Sequence, residues 1–299
     1  MLVLVPSDAP TELLRALAAA APRRALLRRP TLPPWPLRAR FPLLVPPEAI
    51  SGGPDAVLVT PDYAWIRWAK ARGLRAVWYN PKGAFAPEPH PLHDWELRSP
   101  QEVPSAWDFP LPDLGECLRI LREQGVPEGV VAHSAAVAAV AHFLAERLRA
   151  RGVAVDPLLV HRGGLLHDLD KIAALNEGGE HGLRAAETLA ALGYPELGRI
   201  AQAHVLAPGR LPTSWPEKLV FLADKLVEGA EVVGLEARLS ALRARYPEFQ
   251  ERIAAAEPFV RTLQNQVLVA LGMSEAELLE ALRALPLGLP LGPGPEPGG

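Results

Sequence analysis

Leu165-Leu166-His167-Asp168-Leu169-Asp170-Lys171 is the stretch whose reading decides the fold of this chain. A leucine pair runs straight into an imidazole and two carboxylates. Burying such groups without partners costs several kcal/mol or more, so a shared cation is the simplest account of their placement. Working outward, His133 lies upstream, and His181, His204 and Asp224 lie downstream. Asp224 ends the apolar run Leu219-Val220-Phe221-Leu222-Ala223, again an acid among hydrophobic residues. Imidazole nitrogens and carboxylate oxygens together suit Mn, Fe, Co, Ni or Zn, and an ion so held acidifies a bound water.

The segment carrying these residues reads as helical throughout. Apolar periodicity places helices at 114–124, 127–151, 157–174, 182–192, 195–206, 216–245, 249–271 and 275–285. Asp156-Pro157 supplies an N-cap before a first-turn proline, and Ser274 precedes Glu275 and Glu277. His133 falls in the first turns of the second helix. His167 and Asp168 fall late in the third, about 100° apart, so both can face one point. Asp224 falls inside the sixth, which Gly229 and Gly234 are expected to kink. Four such groups on three helices form a cage with open positions; a fully closed cage would imply a structural ion.

The first 110 residues have a different texture. Short β-type runs at 2–5, 56–59 and 76–78 alternate with helix-type stretches at 11–20 and 63–72, the latter ending at Gly73. That alternation implies a small α/β unit with some parallel pairing. Prolines crowd 30–47 and 81–112, which reads as loop, and 104–112 is the expected boundary. The expected organisation is an α/β domain at 1–110, a helical domain at 113–285 and a disordered Pro/Gly-rich tail at 286–299. The fold is therefore mainly α, an all-helical bundle with a small α/β appendage.

Composition narrows the function classes. The 299 residues are 49% hydrophobic, enough for a sizeable core. No uninterrupted apolar run reaches the ~18 residues that a membrane span needs. The first residues lack a basic n-region and read as a strand instead of a signal peptide. Cys117 is the single cysteine, which excludes an internal disulfide and a cysteine-based zinc site and fits a reducing cytoplasm. A net charge of −3 gives no global attraction for a nucleic-acid duplex. No Gly-rich phosphate loop or aromatic stacking pair marks a substrate.

From residue 127 to 245 the pattern resembles the HD superfamily of metal-dependent phosphohydrolases, an all-helical fold named for its His-Asp doublet. The resemblance implies His133 as first ligand, His167 and Asp168 as the doublet, and Asp224 as final ligand. His167-Asp168-Leu169-Asp170-Lys171 stands where many members have His-Asp-Ile-Gly-Lys, so Asp170 adds a carboxylate. Many members carry two further histidines, matched here by His181 and His204; these imply a second metal bridged by Asp168. The run from Lys218 to Lys225 looks especially like the branch that includes symmetrical dinucleoside tetraphosphate hydrolases. The α/β segment more weakly resembles the carboxyl-terminal part of a haloacid-dehalogenase-type hydrolase. Its first strand leads into Pro6-Ser7-Asp8 without the Asp-x-Asp pair of that family, and only Pro61-Asp62 stands at its acid motif. A degenerate, non-catalytic unit is expected, with Asp8 and Asp62 as outside candidates.

The expectation is a hydrolase of a nucleotide or related phosphate ester or anhydride, using one or two divalent ions per chain. Asp168 or Asp170 orients the attacking water, and Lys171, also explicable as a helix-end cation, offsets phosphate charge. The competing readings are a regulatory module that binds metal and nucleotide without turnover, and an interaction protein whose α/β unit docks a partner, with homo-oligomers possible. His142 and His161 are expected to be packing or surface histidines.

Overall fold

The computed structural model describes residues 2–20, 24–27, 43–45, 50, 56–104, 106–177, 180–205 and 211–290. Contacts divide the described residues into two units, one within 1–87 with 92–113, the other Glu88–Pro91 with residues of 114–290. The tail expected to be disordered lies outside the described residues from 291 onward.

The first unit is a parallel sheet built from β1 (Leu2–Pro6), β2 (Arg24–Leu27), β3 (Leu43–Val45), β4 (Ala56–Thr60), β5 (Arg75–Tyr79) and β6 (Trp95–Leu97). The strand order is β3-β2-β1-β4-β5-β6, with every pairing parallel. Side chains alternate across the sheet. Val3, Val5, Val57, Val59 and Val77 pack with Leu13, Leu14 and Leu17 of α1 (Thr11–Ala20). Leu4, Leu58, Ala76 and Trp78 pack with Trp65, Ile66 and Ala69 of α2 (Tyr63–Ala71). Both faces are covered, as parallel sheets require. Asp62 is the N-cap of α2, accepting from Ala64 N at 2.9 Å. β2, β3 and β6 correct the three-strand expectation: the last two are three-residue strands inside the proline-crowded stretches read as loop.

The second unit is helical: α3 (Leu114–Glu123), α4 (Glu128–Ala150), α5 (Pro157–Leu166), α6 (Lys171–Glu177), α7 (Leu183–Ala191), α8 (Pro195–Ala203), α9 (Trp215–Asp224), α10 (Leu235–Arg245), α11 (Gln250–Leu271) and α12 (Glu275–Arg283). Central α4 presents a run of small residues, Ala135, Ala136, Ala138, Ala139 and Ala141, all buried. It is long and apolar enough to cross a membrane, yet 72% of that window is buried inside the protein, as in a core helix. α5 lies against it so closely that a Cβ on Gly164 would come within 2.8 Å of Ala138 Cα. His142 and His161 are buried within this unit, with His161 Nε2 3.0 Å from His90 Nδ1 and Arg162 donating to His161 Nδ1 at 2.8 Å.

Two expected helices are divided. The one expected at 157–174 breaks after Leu166: residues 167–170 form turns before α6 starts, and Asp170 is held by backbone N–H groups of Gly182 and Ala185. The one expected at 216–245 is interrupted by an antiparallel hairpin, β7 (Val227–Glu228) with β8 (Glu231–Val232). Gly229 and Gly234 adopt φ of +56° and +89°, a conformation that favours glycine, so they make a turn and a helix start instead of kinks.

Candidate metal centre

Each expected ligand has a structural reason for its place. His133 sits one turn into α4; His167 caps the C-terminus of α5, with Asp168 next in the turn. His181 precedes the N-cap of α7, His204 caps the C-terminus of α8, and Asp224 is the last residue of α9. The six come together as two groups sharing Asp168. His133, His167 and Asp168 offer ligand atoms all within 4.8 Å of one another, as do Asp168, His181 and His204. Asp224 joins the first group, its Oδ1 lying 3.1 Å from His133 Nε2 and 4.0 Å from His167 Nε2.

The histidine orientations follow from their outer hydrogen bonds. His133 Nδ1 donates to Gly229 O at 2.8 Å, His167 Nδ1 to Gly164 O at 2.7 Å, and His204 Nδ1 to Ala201 O at 2.5 Å. His181 Nδ1 donates to Asp170 Oδ1 at 2.7 Å. A carbonyl or carboxylate oxygen only accepts, so each Nδ1 carries a hydrogen, and in the neutral rings every Nε2 turns a lone pair inward. His133 Nε2 meets Asp224 Oδ1, and His204 Nε2 lies 3.0 Å from His181 Nε2. His167 Nε2 is buried with no hydrogen-bond partner, 3.5 Å from Asp168 Oδ2. Converging lone pairs and carboxylates call for positive charge at their centre, and the donor set fits first-row divalent ions.

Asp168 is placed to serve both groups. Its Oδ1 lies 2.9 Å from His181 Nε2 and 3.4 Å from His204 Nε2; its Oδ2 faces His167 and, at 3.9 Å, His133. Lys171 Nζ donates to the same Oδ2 at 2.5 Å. Burial would raise the Asp168 pKa, but the electrostatics of His167, the hydrogen bond from His181 and the Lys171 ammonium hold it well below the usual range. Burial drives His167 down to about 3 against the pull of Asp168, so it stays neutral and able to ligate. Burial also lowers His204. For His181, burial is outweighed by Asp168 and Asp170, one at each ring nitrogen, and its pKa rises to about 9.

Asp170, expected as a water-orienting group, is spent elsewhere. Its oxygens accept from Gly182 N at 2.9 Å and Ala185 N at 3.0 Å as well as from His181. It ties the start of α7 to the centre and fixes the ring of His181. Sequence reasoning missed three charged neighbours. Lys225 Nζ bonds Asp224 Oδ2 and His204 O, Arg238 reaches Asp224, and Glu228 pairs with Arg238. Arg238 had a sequence signal: it shares a helix face with Leu235 and Leu239, and all three are buried.

The helical unit thus has the arrangement of a His/Asp metal-binding bundle, and the comparisons agree. The HD domain family model matches residues 130–229. An uncharacterized protein of Methanocaldococcus jannaschii is 32% identical over 151 residues, covering 46% of this chain and 84% of that protein. No solved structure matches significantly. The chain belongs to the HD domain family, a superfamily of metal-dependent phosphohydrolases that bind divalent metals.

Proposed function

We propose that this protein hydrolyses a nucleotide or related phosphate ester or anhydride, with His133, His167, Asp168 and Asp224 holding one divalent ion and Asp168, His181 and His204 a second. The observation that carries this reading is Asp168, whose two oxygens face two separate histidine pairs. Bound ions supply a polarised phosphoryl oxygen and a water acidified toward neutrality, the chemistry of two-metal hydrolysis. The chain's own residues do the rest. Asp168, kept ionised between the pairs, accepts hydrogen bonds and orients the attacking water. Lys171, about a third exposed and bonded to Asp168 Oδ2, places an ammonium beside the centre where it offsets phosphate charge. Asp170 acts as a positioning residue for His181. The second group has three ligands and a His181 about a quarter exposed, which leaves open positions for substrate, as catalytic sites have and structural ones lack. Cys117, the single cysteine of the sequence, is buried, in keeping with a reducing compartment such as the cytoplasm.

The test is a screen of mono-, di- and cyclic nucleotides and dinucleoside polyphosphates with protein loaded with Mn, Fe, Co or Ni. Phosphate-ester or anhydride cleavage that is lost in Asp168→Ala and His167→Ala is expected. Stoichiometric metal binding with no cleavage of any of these compounds would refute turnover.

A further inference from the structure

The hairpin that interrupts the expected long helix lies against the first ligand group, and three of its surroundings touch ligands. Gly229 O, in its turn, accepts from His133 Nδ1 at 2.8 Å. Glu228, in β7, pairs with Arg238, whose Nε donates to Asp224 O at 3.2 Å and whose Nη2 lies 3.4 Å from Asp224 Oδ1. Lys225, between α9 and the hairpin, donates to Asp224 Oδ2 and to His204 O at 3.2 Å.

We infer that this hairpin, with Lys225, Glu228 and Arg238, is a positioning module for the first metal: it aims His133 and clamps Asp224. The inference rests on the metal-centre reading above. The physical case begins with the hairpin itself. Two residues per strand are too few to persist alone, so its shape depends on what it touches. Its turn bonds one ligand and its first strand reaches another through Arg238, while Val232 O of β8 accepts from Arg283 of α12. Lys225 and Arg238 are buried, where an unpaired cation is costly, and acceptors on or beside the ligands satisfy them. With Oδ2 engaged by Lys225, Asp224 presents Oδ1 toward His133 and His167. Glu228 in turn holds Arg238 in place and is itself paired with Arg245. A carboxylate held at Oδ2 by Lys225, and at its backbone and more loosely at Oδ1 by Arg238, loses the freedom to swing.

Cobalt is the probe, read by calorimetric affinity and by its visible ligand-field spectrum, beside far-ultraviolet circular dichroism. Arg238→Met and Lys225→Met should weaken the tighter cobalt site on the order of 10- to 100-fold and alter its spectrum, the usual effect of losing a ligand's orienting partner. Arg238→Lys should rescue only in part, because one ammonium cannot span Glu228 and Asp224 as the fork does. Glu228→Gln should give a smaller shift in the same direction. A merely structural role would lower thermal stability without moving affinity or spectrum. Wild-type cobalt affinity and spectrum in folded Arg238→Met and Lys225→Met overturn the inference. If those variants do not fold, Arg238→Lys and Glu228→Gln decide it by the same criterion. His167→Ala separates the two levels: a wild type that binds no cobalt, or binds it equally without His167, removes the metal centre and the module with it. Binding that needs His167 but ignores Arg238, Lys225 and Glu228 removes only the module.

Discussion

Gly164→Ala distinguishes packing from ligation. A Cβ at position 164 would lie 2.8 Å from Ala138 Cα and 3.1 Å from Ala138 N, both main-chain atoms of α4. Carbon atoms rest at about 3.5–4.0 Å, so α4 and α5 must part by roughly half an ångström or more. Overpacking of this kind costs about 1–3 kcal/mol, offset by roughly 1 kcal/mol of helix propensity that alanine holds over glycine. The net loss is then about 0–2 kcal/mol, and in a unit of this size each kcal/mol shifts Tm by roughly 2–4 °C. The effect on metal binding should be larger. His133 rides on α4, five residues before Ala138; His167 follows Gly164 and is oriented by its carbonyl. Ligand distances tolerate only about 0.2 Å, so helices that part carry the two imidazoles out of register. Gly163→Ala is the control. Its Cβ would meet Ile200 Cδ1 at 2.8 Å and Cγ2 at 2.9 Å, side-chain atoms of α8 and not the main chain of α4. Cobalt titration with calorimetric melting of the metal-free protein should show Gly164→Ala losing affinity out of proportion to its Tm, and Gly163→Ala keeping it. Equal cobalt affinity in the two variants would refute the reasoning.

Three further outcomes follow from the same geometry. Asp62→Ala should cost about 0.5–2 kcal/mol through loss of the α2 cap, while both it and Asp8→Ala leave turnover close to wild type; a loss matching that of Asp168→Ala, with the fold intact, would place chemistry in the α/β unit. Asp170→Asn should weaken the second ion and spare the first, so metal stoichiometry falls toward one per chain; unchanged stoichiometry would show that Asp170 does not orient His181. With its folded pKa raised to about 9 from an unfolded value near 6.5, the proton on His181 stabilises the metal-free fold fully below pH ~6.5 and loses that contribution as pH climbs through about 9. An ion in the second group displaces this proton, so its affinity should rise with pH up to about 9, with close to one proton released per ion near pH 7; calorimetry in buffers of different ionisation enthalpy reads this, and pH-independent binding of the second ion contradicts it.

How much of this was legible in the sequence depends on where the information lies. The helical texture after Asp113 follows from apolar periodicity, and α4, α7, α11 and α12 fall where it puts them, within a residue or two. Periodicity is blind to a short interruption that keeps apolar residues in phase. Leu226, Val227 and Val232 continue the hydrophobic pattern across the hairpin, so only Gly229 and Gly234 betray it, and a glycine in a helical pattern reads equally well as a kink. The same limit hides β3 and β6, three-residue strands whose proline-rich flanks speak louder than their own residues. Their existence depends on pairing with β2 and β5, a non-local cause that no local window contains.

The ligands were legible for a different reason. An imidazole or carboxylate inside an apolar run is an expense that folding tolerates only where something repays it, so His167, Asp168 and Asp224 stand out by polarity alone. His181 does not, since it follows a polar, glycine-rich stretch and becomes a site residue only because Asp168 and Asp170 lie at its two nitrogens. The groups that aim the ligands were the least legible. Three of the four imidazole anchors, Gly229 O, Gly164 O and Ala201 O, are main-chain atoms, and the two glycines matter through conformation or close approach and not through side-chain chemistry. Asp170 is the instructive case between these extremes. Its charge and its place beside the doublet suggested a role at the attacking water, whereas its neighbours in space, Gly182 N, Ala185 N and His181 Nδ1, leave its oxygens engaged. Sequence adjacency identified a group that belongs to the centre; the hydrogen-bond partners, set by where α7 begins, determine what it does there.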